Sequence, residues 1–385
     1  MRTISKNLAR LTRSGIRMIL DKAVLLDKAY HLEIGDPGFD TPVHIQEAAI
    51  AAIKAGNTHY TTHAGMPSLR EAILEKVARE NHIQADLNQV GVTPGGVFAV
   101  AAAMMAISEA GDEILIPDPG WPNYYTQAAV IGLKPVHYRL TLDANFQPDI
   151  KAIESMISNR TRAIIINSPA NPTGAVFSAG IMQGLLKMCQ EHDIYLISDE
   201  VYEHILYEGK HVSPAVQDTD GHVITIFATS KTYAMTGWRI GYYVAPAPVA
   251  KNMGRAIESY LSCASSVSQI AAEAALRGPQ ECIEKMLGSY RERKDICVAA
   301  LEQAGIGYAN PQGAFYLMLG IGQTGLDSYA FSTQLLEATG VAVAPGLTFG
   351  PNSDQIIRIS YCADKEDVAE GIARLCRFFR QSSKG

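Results

Sequence analysis

The chain has 385 residues, of which 47% are apolar and 19% are charged, and its formal net charge is -6. This length is enough for two domains with cores of their own, and the composition is that of an ordinary globular protein. The acidic balance and the absence of a dense basic face argue against nucleic acid as a partner, so small molecules are expected instead.

The cysteines and the apolar runs exclude further classes. Six cysteines are spread without a C-x-x-C spacing, which predicts neither a metal site nor a disulfide framework and fits reduced thiols in the cytoplasm. The most continuously apolar run, 97–107, is too short to span a bilayer and predicts a buried helix. We therefore expect a cytoplasmic protein without a metal and without membrane contact.

The first seventeen residues carry basic side chains and no acidic one. The basic residues are Arg2, Lys6, Arg10, Arg13 and Arg17. Their charge resembles that of a transit peptide, but the segment has no hydrophobic signal core. We interpret it as a basic arm that lies on a partner subunit.

A glycine turn follows the first strand-like segment. Residues 90–93 predict a strand, and Pro94-Gly95-Gly96-Val97 leads from it into the apolar helix. Glycines at such a turn let backbone N–H groups approach an anion, and a helix N-terminus favours a phosphate. Gly95, Gly96 and Val97 are therefore candidates for anion binding, provided that a second anion-binding residue joins them.

Short apolar runs that end in Gly, Pro, Asn or Asp recur through the middle of the chain. They cover 113–117, 163–167, 194–198, 223–227 and 240–245, and a helical pattern over 181–191 separates the second from the third. Alternation of this kind implies crossover connections and a mainly parallel sheet, which is typical of an α/β fold.

The segment from 282 onward has a different pattern of predicted helices and strands. A charged helix over 283–304 precedes strand-like pieces at 314–318 and 356–360, and a final helix begins near Asp364, which can cap it. The apolar stripe of this final helix consists of Val368, Ile372, Leu375 and Phe379. These elements predict a smaller α+β domain at 281–385 that the N-terminal segment 1–45 joins, with a large domain at 46–280 between them.

Candidate functional side chains follow the carboxyl ends of three predicted strands. Trp121 comes after the first, Asn171 stands in a polar turn after the second, and Asp199 and Tyr202 follow the third. In doubly wound α/β folds, ligands collect beyond the carboxyl ends of parallel strands, so these side chains can converge on one crevice. Each also has a structural alternative, because Asp199 can cap a helix, Asn171 can stabilise its turn and Trp121 can be a core aromatic.

The segment 230–239 places a lysine just beyond a buried strand and an arginine eight residues later. A lysine that loses its charge becomes a nucleophile able to form an imine with an aldehyde, whereas an ordinary loop lysine is the alternative for Lys231. The planar fork of Arg239 suits a phosphate and complements the glycine turn. A ligand that satisfies all these strand ends is aromatic, phosphorylated and aldehydic and has a basic ring nitrogen; pyridoxal 5'-phosphate has these properties.

In the order of these motifs, from Gly35-Asp36-Pro37 to Arg358, the chain resembles the class I and II aminotransferases, the fold-type I pyridoxal-phosphate enzymes of the aspartate aminotransferase superfamily. The resemblance implies a large domain with a mainly parallel seven-stranded sheet sandwiched by helices. It also implies pyridoxal 5'-phosphate as cofactor, an L-amino acid and a 2-oxo acid as substrates of a ping-pong reaction, and a homodimer.

The resemblance further implies a role for each matching residue. Lys231 forms the imine with the cofactor and transfers the α-proton, while Asp199 pairs with the ring nitrogen. The other implied roles are the phenolic oxygen for Tyr202 and Asn171, the ring face for Trp121, the phosphate for Gly95, Gly96, Val97, Ser230 and Arg239, the neighbouring subunit's phosphate for Tyr60, and the substrate for Gly35, Trp121, Asn171 and Arg358. An arginine inside an apolar strand is costly to bury without an anion, which independently favours a ligand for Arg358.

These motifs leave the amino donor open. Many aspartate-using relatives have a lysine or another polar group after the glycine turn, where this chain has Val97, which lowers the expectation of aspartate. Arg13 or Arg17 of the basic arm can supply a charge instead, although a surface or interface position is the favoured interpretation of each. The alternative is an apolar or aromatic donor. Two other function classes also stay open. The scaffold supports lyases and synthases that act on the substrate's side chain, and a non-catalytic pyridoxal-phosphate regulator would need a DNA-binding module before the first motif.

Overall fold

The computed structural model describes residues 4–9, 11 and 14–383. The strands of this part are β1 Tyr30–His31, β2 Val90–Thr93, β3 Glu113–Asp118, β4 Lys134–Arg139, β5 Thr161–Asn167, β6 Tyr195–Asp199, β7 Val223–Ala228, β8 Gly241–Val244, β9 Tyr316–Gly320, β10 Val341–Ala342, β11 Ala344–Pro345 and β12 Ile356–Ser360. The helices are α1 Lys6–Ala9, α2 Gly15–Ala23, α3 Val43–Lys54, α4 Pro67–Glu80, α5 Gly96–Ile107, α6 Pro122–Ile131, α7 Ile150–Glu154, α8 Ala179–Glu191, α9 Thr229–Thr232, α10 Ala247–Leu261, α11 Ser266–Arg277, α12 Glu281–Ala304, α13 Ser328–Thr339 and α14 Lys365–Ser382.

A seven-stranded sheet forms the centre of the fold, in the order β2-β8-β7-β6-β5-β3-β4. Strands β3 to β7 are parallel to one another, and β8 is antiparallel to both of its neighbours, β2 and β7. The predicted α/β architecture with a mainly parallel sheet is therefore confirmed. Since the parallel strands share one direction, their carboxyl ends open on the same edge of the sheet.

Both faces of the central strands are buried, which explains why these strands read as continuous apolar runs. In β5, Ala163 and Ile165 pack in the cluster that α5, α6 and α10 share, whereas Ile164 and Ile166 pack on the opposite face with α8. The sheet is thus sandwiched between helices, as the resemblance implied.

Both ends of the chain build a smaller α+β part. Strands β9, β11 and β12 form an antiparallel sheet, and β1 near the N-terminus pairs with β10. Residues 314–318 were predicted as a strand, but β9 begins later because Ala314 has a left-handed φ of 54°. The apolar stripe of α14 is buried as predicted. Asp364 is the residue before this helix, but its side chain makes no capping hydrogen bond, so that detail of the prediction is wrong.

Asp118 at the carboxyl end of β3 connects the large sheet with the smaller part through hydrogen bonds. Its buried carboxylate accepts hydrogen bonds from the backbone and side-chain amides of Asn352, at 3.1 and 2.6 Å, and from Ser353 Oγ at 3.1 Å. The backbone N–H of Gly120 also donates to the carbonyl of Phe349. These contacts fix the turn that carries Trp121 against the C-terminal part of the chain.

Across residues 4–9, 11 and 14–383, every helix is too short or too polar to cross a membrane.

Candidate active site

A cavity of about 400 Å³ lies beyond the carboxyl ends of β3, β5, β6 and β7, between the large sheet and the smaller part. It brings together most of the residues singled out from the sequence. Its lining includes Gly35, Gly96, Val97, Trp121, Asn171, Asp199, Tyr202, Ser230, Lys231, Arg239 and Arg358. Two predicted residues are not part of this lining, Gly95 and Tyr60.

Lys231 reaches the cavity from α9, the short helix that directly follows β7. Its Nζ donates a hydrogen bond of 2.8 Å to the carbonyl oxygen of Gly35. Burial lowers the pKa of Lys231, and the positive charges of Arg239 and Arg358 act in the same direction. A lowered pKa makes the neutral amine, which is the nucleophilic and basic form, more accessible.

Asp199 ends β6 and is buried at the cavity wall. Burial raises the pKa of its carboxyl group to about 6, although two hydrogen bonds favour the charged form. One comes from the phenol of Tyr124, 2.5 Å from Oδ2, and the other from the backbone N–H of Val201, 3.3 Å from Oδ1. The site therefore holds a buried carboxylate that is poised to pair with a cation.

An anion cradle lies at the start of α5. Gly95 precedes this helix with a φ of 85°, and a Cβ atom there would collide with the guanidinium of Arg239, so the two lie in direct contact. The N–H groups of Gly96 and Val97 belong to the first helical turn, where no carbonyl of the helix can accept from them. Ser230, which is largely buried, lines the same cavity. A guanidinium, a hydroxyl and a helix N-terminus suit a phosphate group.

Arg358 is 2% exposed at the centre of β12. Its Nη1 donates to Oδ1 of Asn171 at 3.0 Å, and its guanidinium lies 4.4 Å from the ring centre of Tyr316. Burial lowers the pKa of Arg358. Its Nε is buried without a hydrogen-bond partner among the described residues. A buried guanidinium with one unsatisfied N–H group beside a cavity favours an anionic ligand.

The tyrosine pair at the cavity floor includes a residue that the sequence motifs missed. The hydroxyls of Tyr202 and Tyr316 lie 2.9 Å apart. Burial raises the pKa of both phenols above the ordinary range, so both remain protonated hydrogen-bond donors. Tyr316 also limits position 35, because a Cβ on Gly35 would collide with its hydroxyl.

The N-terminal helix α2 supplies another wall of the cavity. Ile16, Arg17 and Leu20 all line the cavity. Arg17 was one of two candidate sources of charge; the other, Arg13, lies outside the described residues. Tyr60 is 89% exposed and does not line this cavity, so its contribution to a neighbouring subunit stays a prediction.

Sequence reasoning missed Tyr124, Tyr316 and Glu33, all of which line the cavity. For Tyr124 a signal existed, because it stands three residues after Trp121 at helical spacing, and their rings meet edge to face at 5.4 Å. Tyr316 lies within an apolar run that the prediction assigned to core strand, and Glu33 lies between two apolar residues with no local pattern to mark it.

The donor set of this cavity fits pyridoxal 5'-phosphate. The cradle of Gly95 and Arg239 suits its phosphate, Asp199 suits its ring nitrogen, and the buried amine of Lys231 suits its aldehyde. These three groups border one cavity, which is the arrangement that a single aromatic ligand with these functions requires.

Comparison with known proteins places the chain in a family. The family model described as aminotransferase class I and II matches residues 27–375. An aspartate aminotransferase of Pyrococcus horikoshii is 38% identical over 375 residues, which cover 97% of this chain and 96% of that protein. An aspartate/prephenate aminotransferase of Thermus thermophilus is 35% identical over 384 residues, or 98% and 99% of the two chains.

Solved structures agree. The aspartate aminotransferase of Thermus thermophilus with maleate superposes with a TM-score of 0.94 at 35% identity, covering 98% of this chain and all of that one. The chain therefore belongs to the class I and II aminotransferases, the transaminases that use pyridoxal 5'-phosphate to move an amino group between an L-amino acid and a 2-oxo acid.

Proposed function

We propose that this aminotransferase uses a dicarboxylic amino acid such as aspartate as its donor, with Arg358 binding the α-carboxylate and Arg17 the distal carboxylate. The observation that carries this proposal is that both arginines border one cavity of about 400 Å³. Two guanidinium groups at separate walls complement a ligand with two carboxylates. The relative in Pyrococcus horikoshii, which bears the name aspartate aminotransferase, supports the same choice.

An aromatic donor is the second candidate. Apart from Arg17, the wall near α2 is apolar, because Ile16, Leu20 and Val97 border it together with Trp121. Apolar and aromatic walls favour an aromatic side chain. The name of the Thermus thermophilus relative joins aspartate with prephenate, which is consistent with a cavity that accepts both kinds of substrate.

In the proposed reaction, Lys231 carries the covalent link to the cofactor and then moves the α-proton of the substrate. Its lowered pKa favours the neutral amine that can accept this proton and return it. The cofactor supplies an electron sink for the pair that the α-proton leaves behind. Asp199 would stabilise the protonated ring nitrogen, and Tyr202, whose hydroxyl lies 2.9 Å from that of Tyr316, would donate to the phenolic oxygen.

The remaining roles follow from position in the cavity. Gly95, Gly96, Val97, Ser230 and Arg239 are proposed to bind the phosphate, Trp121 to cover the ring, Asn171 to contact both the phenolic oxygen and the substrate, and Gly35 to contact the substrate carboxylate. The hydrogen bond from Arg358 to Asn171 supports a shared role for these two residues, since it orients the guanidinium beside the cavity.

We also propose a cytoplasmic homodimer in which Tyr60 contacts the phosphate of the neighbouring site. The support is that Tyr60 is exposed on a loop that also carries exposed polar residues, so its ring has no place in its own subunit's core. The domain division at 1–45, 46–280 and 281–385 is part of the same proposal. Light scattering of the purified holoenzyme would measure the assembly, and a monomer would contradict it.

A panel of amino donors and oxo acceptors tests the donor assignment. The colour change of the cofactor is followed in single half-reactions, and aspartate should react with the highest kcat/KM, followed by aromatic amino acids. Stoichiometric appearance of oxo acid with the aminated cofactor is expected. An alkyl amino acid that outperforms both groups would contradict the proposal, as would release of pyruvate and ammonia without need of an acceptor.

A further inference from the structure

Glu33 is a buried residue whose backbone carbonyl accepts a hydrogen bond from the proposed substrate arginine, Arg358, and none of the motifs gives its side chain a role. Its side chain is 0% exposed although the residue borders the active-site cavity. Oε1 lies 2.8 Å from Nδ1 of His31, and Oε2 has no hydrogen-bond partner in the described part of the chain. A buried carboxylate with one unsatisfied oxygen is costly, so its presence in a residue that contacts Arg358 calls for a physical reason.

The surroundings of Arg358 supply that reason. The guanidinium donates through Nη2 to the backbone carbonyl of Glu33 and through Nη1 to Asn171, and it packs on the rings of Tyr316 and Phe349. Among the described residues it forms no direct ion pair with a carboxylate, that of Glu33 included, so the charge of Glu33 acts on the guanidinium through space, from the residue whose carbonyl the guanidinium contacts. Burial lowers the pKa of Arg358, and among the anionic groups that oppose this effect Glu33 is the carboxylate.

We propose that Glu33 is a resident counter-ion of Arg358, a positioning residue that stabilises the buried guanidinium before substrate arrives and competes electrostatically with the substrate's α-carboxylate. The proposal rests on the assignment of Arg358 to that carboxylate. A fixed negative charge near the binding point makes a second negative charge less favourable there. Glu33 would therefore set substrate affinity at a moderate level and limit how tightly carboxylates are held.

His31 modifies the charge of Glu33. Its imidazole is 40% exposed and bonds to Glu33, so it connects the buried carboxylate with solvent. That hydrogen bond raises the pKa of His31, and the charges of Glu33 and of Asp367 on α14 act in the same direction. A protonated His31 neutralises part of the charge of Glu33. Since that cation is lost as pH rises through the raised pKa, repulsion of the substrate carboxylate should increase over the same range.

Several other groups surround these three residues. The carboxylate of Glu33 contacts His31 of β1, its backbone carbonyl contacts Arg358 of β12, and the charge of Asp367 on α14 acts on His31. Tyr202, Tyr316 and Cys362 lie close enough to act on Arg358. The three phenol and thiol groups have pKa values raised by burial, so they stay neutral around pH 7. Lys231, whose pKa is lowered in part by the charge of Arg358, and Asp199, whose pKa burial raises to about 6, border the same cavity, so the share of the pH dependence that belongs to His31 is the share that His31→Gln removes.

The substitution Glu33→Gln tests the proposal in the holoenzyme, with maleate as a non-reacting dicarboxylate probe. Glutamine keeps an acceptor for His31 and removes the charge. We expect the dissociation constant for maleate, measured by calorimetry, and the KM for the amino donor to fall about three- to tenfold, with a much smaller change in kcat. A purely structural role predicts the opposite sign, because a disturbed Arg358 would bind carboxylates more weakly.

His31→Gln provides the opposing variant and the double variant completes a cycle. Loss of the neutralising cation should raise the KM and reduce its dependence on pH around neutrality, whereas His31→Gln/Glu33→Gln should resemble Glu33→Gln alone, because His31 acts through Glu33. An unchanged or weakened maleate affinity in Glu33→Gln overturns the proposal. If that variant does not fold, a lowered or unchanged KM in His31→Gln overturns it instead.

Arg358→Lys separates this proposal from the assignment on which it rests. If Arg358→Lys weakens maleate binding strongly while Glu33→Gln leaves it unchanged, the counter-ion role fails and the role of Arg358 stands. If Arg358→Lys leaves maleate affinity at the wild-type value, the carboxylate assignment itself fails. Thermal unfolding of each variant with and without maleate adds an activity-free readout, and the rise in Tm on adding maleate should be larger for Glu33→Gln than for the wild type.

Discussion

The phenol of Tyr124 donates a hydrogen bond of 2.5 Å to Oδ2 of Asp199, and both side chains are buried. Burial raises the pKa of Asp199 to about 6, so the charged carboxylate depends on donors such as this one. Burial also raises the pKa of Tyr124, which keeps the phenol protonated and able to donate. A residue that no motif marked therefore maintains the charge on which a motif residue depends.

Replacing Tyr124 by Phe should weaken cofactor binding by about tenfold or more, because a hydrogen bond to a charged group is worth roughly 1.5–3 kcal/mol. With one donor fewer, the pKa of Asp199 rises further and less of the carboxylate is charged near neutral pH. The dissociation constant of pyridoxal 5'-phosphate, titrated into apoenzyme between pH 6 and 8 by fluorescence quenching, measures this effect. Tyr125→Phe on the same helix is the matched control, since Tyr125 is exposed. Equal affinities in the two variants would refute the role of Tyr124.

Asp199→Asn should change how the stability of the apoenzyme depends on pH. The folded pKa of Asp199, about 6, lies above its ordinary value of 3.8, so this group contributes stability that is complete below the unfolded pKa and is lost as pH rises through 6. Between pH 5 and 8 the wild type should lose roughly 1 to 1.5 kcal/mol from this source, and the variant should not. Urea unfolding of both apoenzymes at several pH values gives the comparison, and parallel curves would contradict the assigned pKa.

The parts of the fold that the sequence predicted best are those with a local pattern. The bounds of β2 and β12 agree residue for residue with the predicted 90–93 and 356–360, because β-branched runs bounded by polar or glycine-rich turns mark such strands. Strand β4, Lys134–Arg139, was missed. It lies at the edge of the sheet and mixes charged, proline and apolar residues, so it lacks the continuous apolar run of its buried neighbours.

The residues of the candidate site also differ in whether a local sequence pattern could predict them. Lys231, Asp199 and Asn171 follow strands directly, so their place at one edge of the sheet could be predicted. Glu33 could not, because its neighbour Arg358 is 325 positions away and only folding brings them together. Arg17 is an intermediate case. Its charge was visible in the sequence, but the packing of α2 against α13 and β11 decides that it borders the cavity.

Arg17→Gln should lower kcat/KM for aspartate by about tenfold to a hundredfold, the range expected for loss of one charge-assisted contact to a carboxylate. Transamination of phenylalanine, which has no distal carboxylate, should change by much less. Lys22→Gln is the control, because Lys22 is a cation on the same helix that pairs with Glu337 instead of bordering the cavity. If Arg17→Gln lowers both substrates equally, the role of Arg17 is structural.

Lys231→Ala should abolish transamination and also the borohydride-reducible link between protein and cofactor. Because the anion cradle of Gly95 and Arg239 is separate from the lysine, the variant should still bind pyridoxal 5'-phosphate without a covalent bond. Mass spectrometry after borohydride treatment measures the link, and equilibrium dialysis measures the remaining binding. Lys187→Ala, at a solvent-exposed lysine, is the control. A reducible link that persists in Lys231→Ala would place the reactive amine elsewhere.

Exchange of subunits between two inactive variants tests whether Tyr60 completes a neighbouring site. One parent carries Lys231→Ala, and the other carries Tyr60→Ala with its lysine intact. In a mixed dimer, the site that keeps Lys231 receives Tyr60 from the other subunit and is complete, whereas neither parent dimer has such a site. Activity should therefore rise when the two variants are unfolded and refolded together, and it should exceed that of the separately refolded parents combined. If it does not, Tyr60 either acts within its own subunit or has no part in the site, and its exposure of 89% in the single chain would need another explanation.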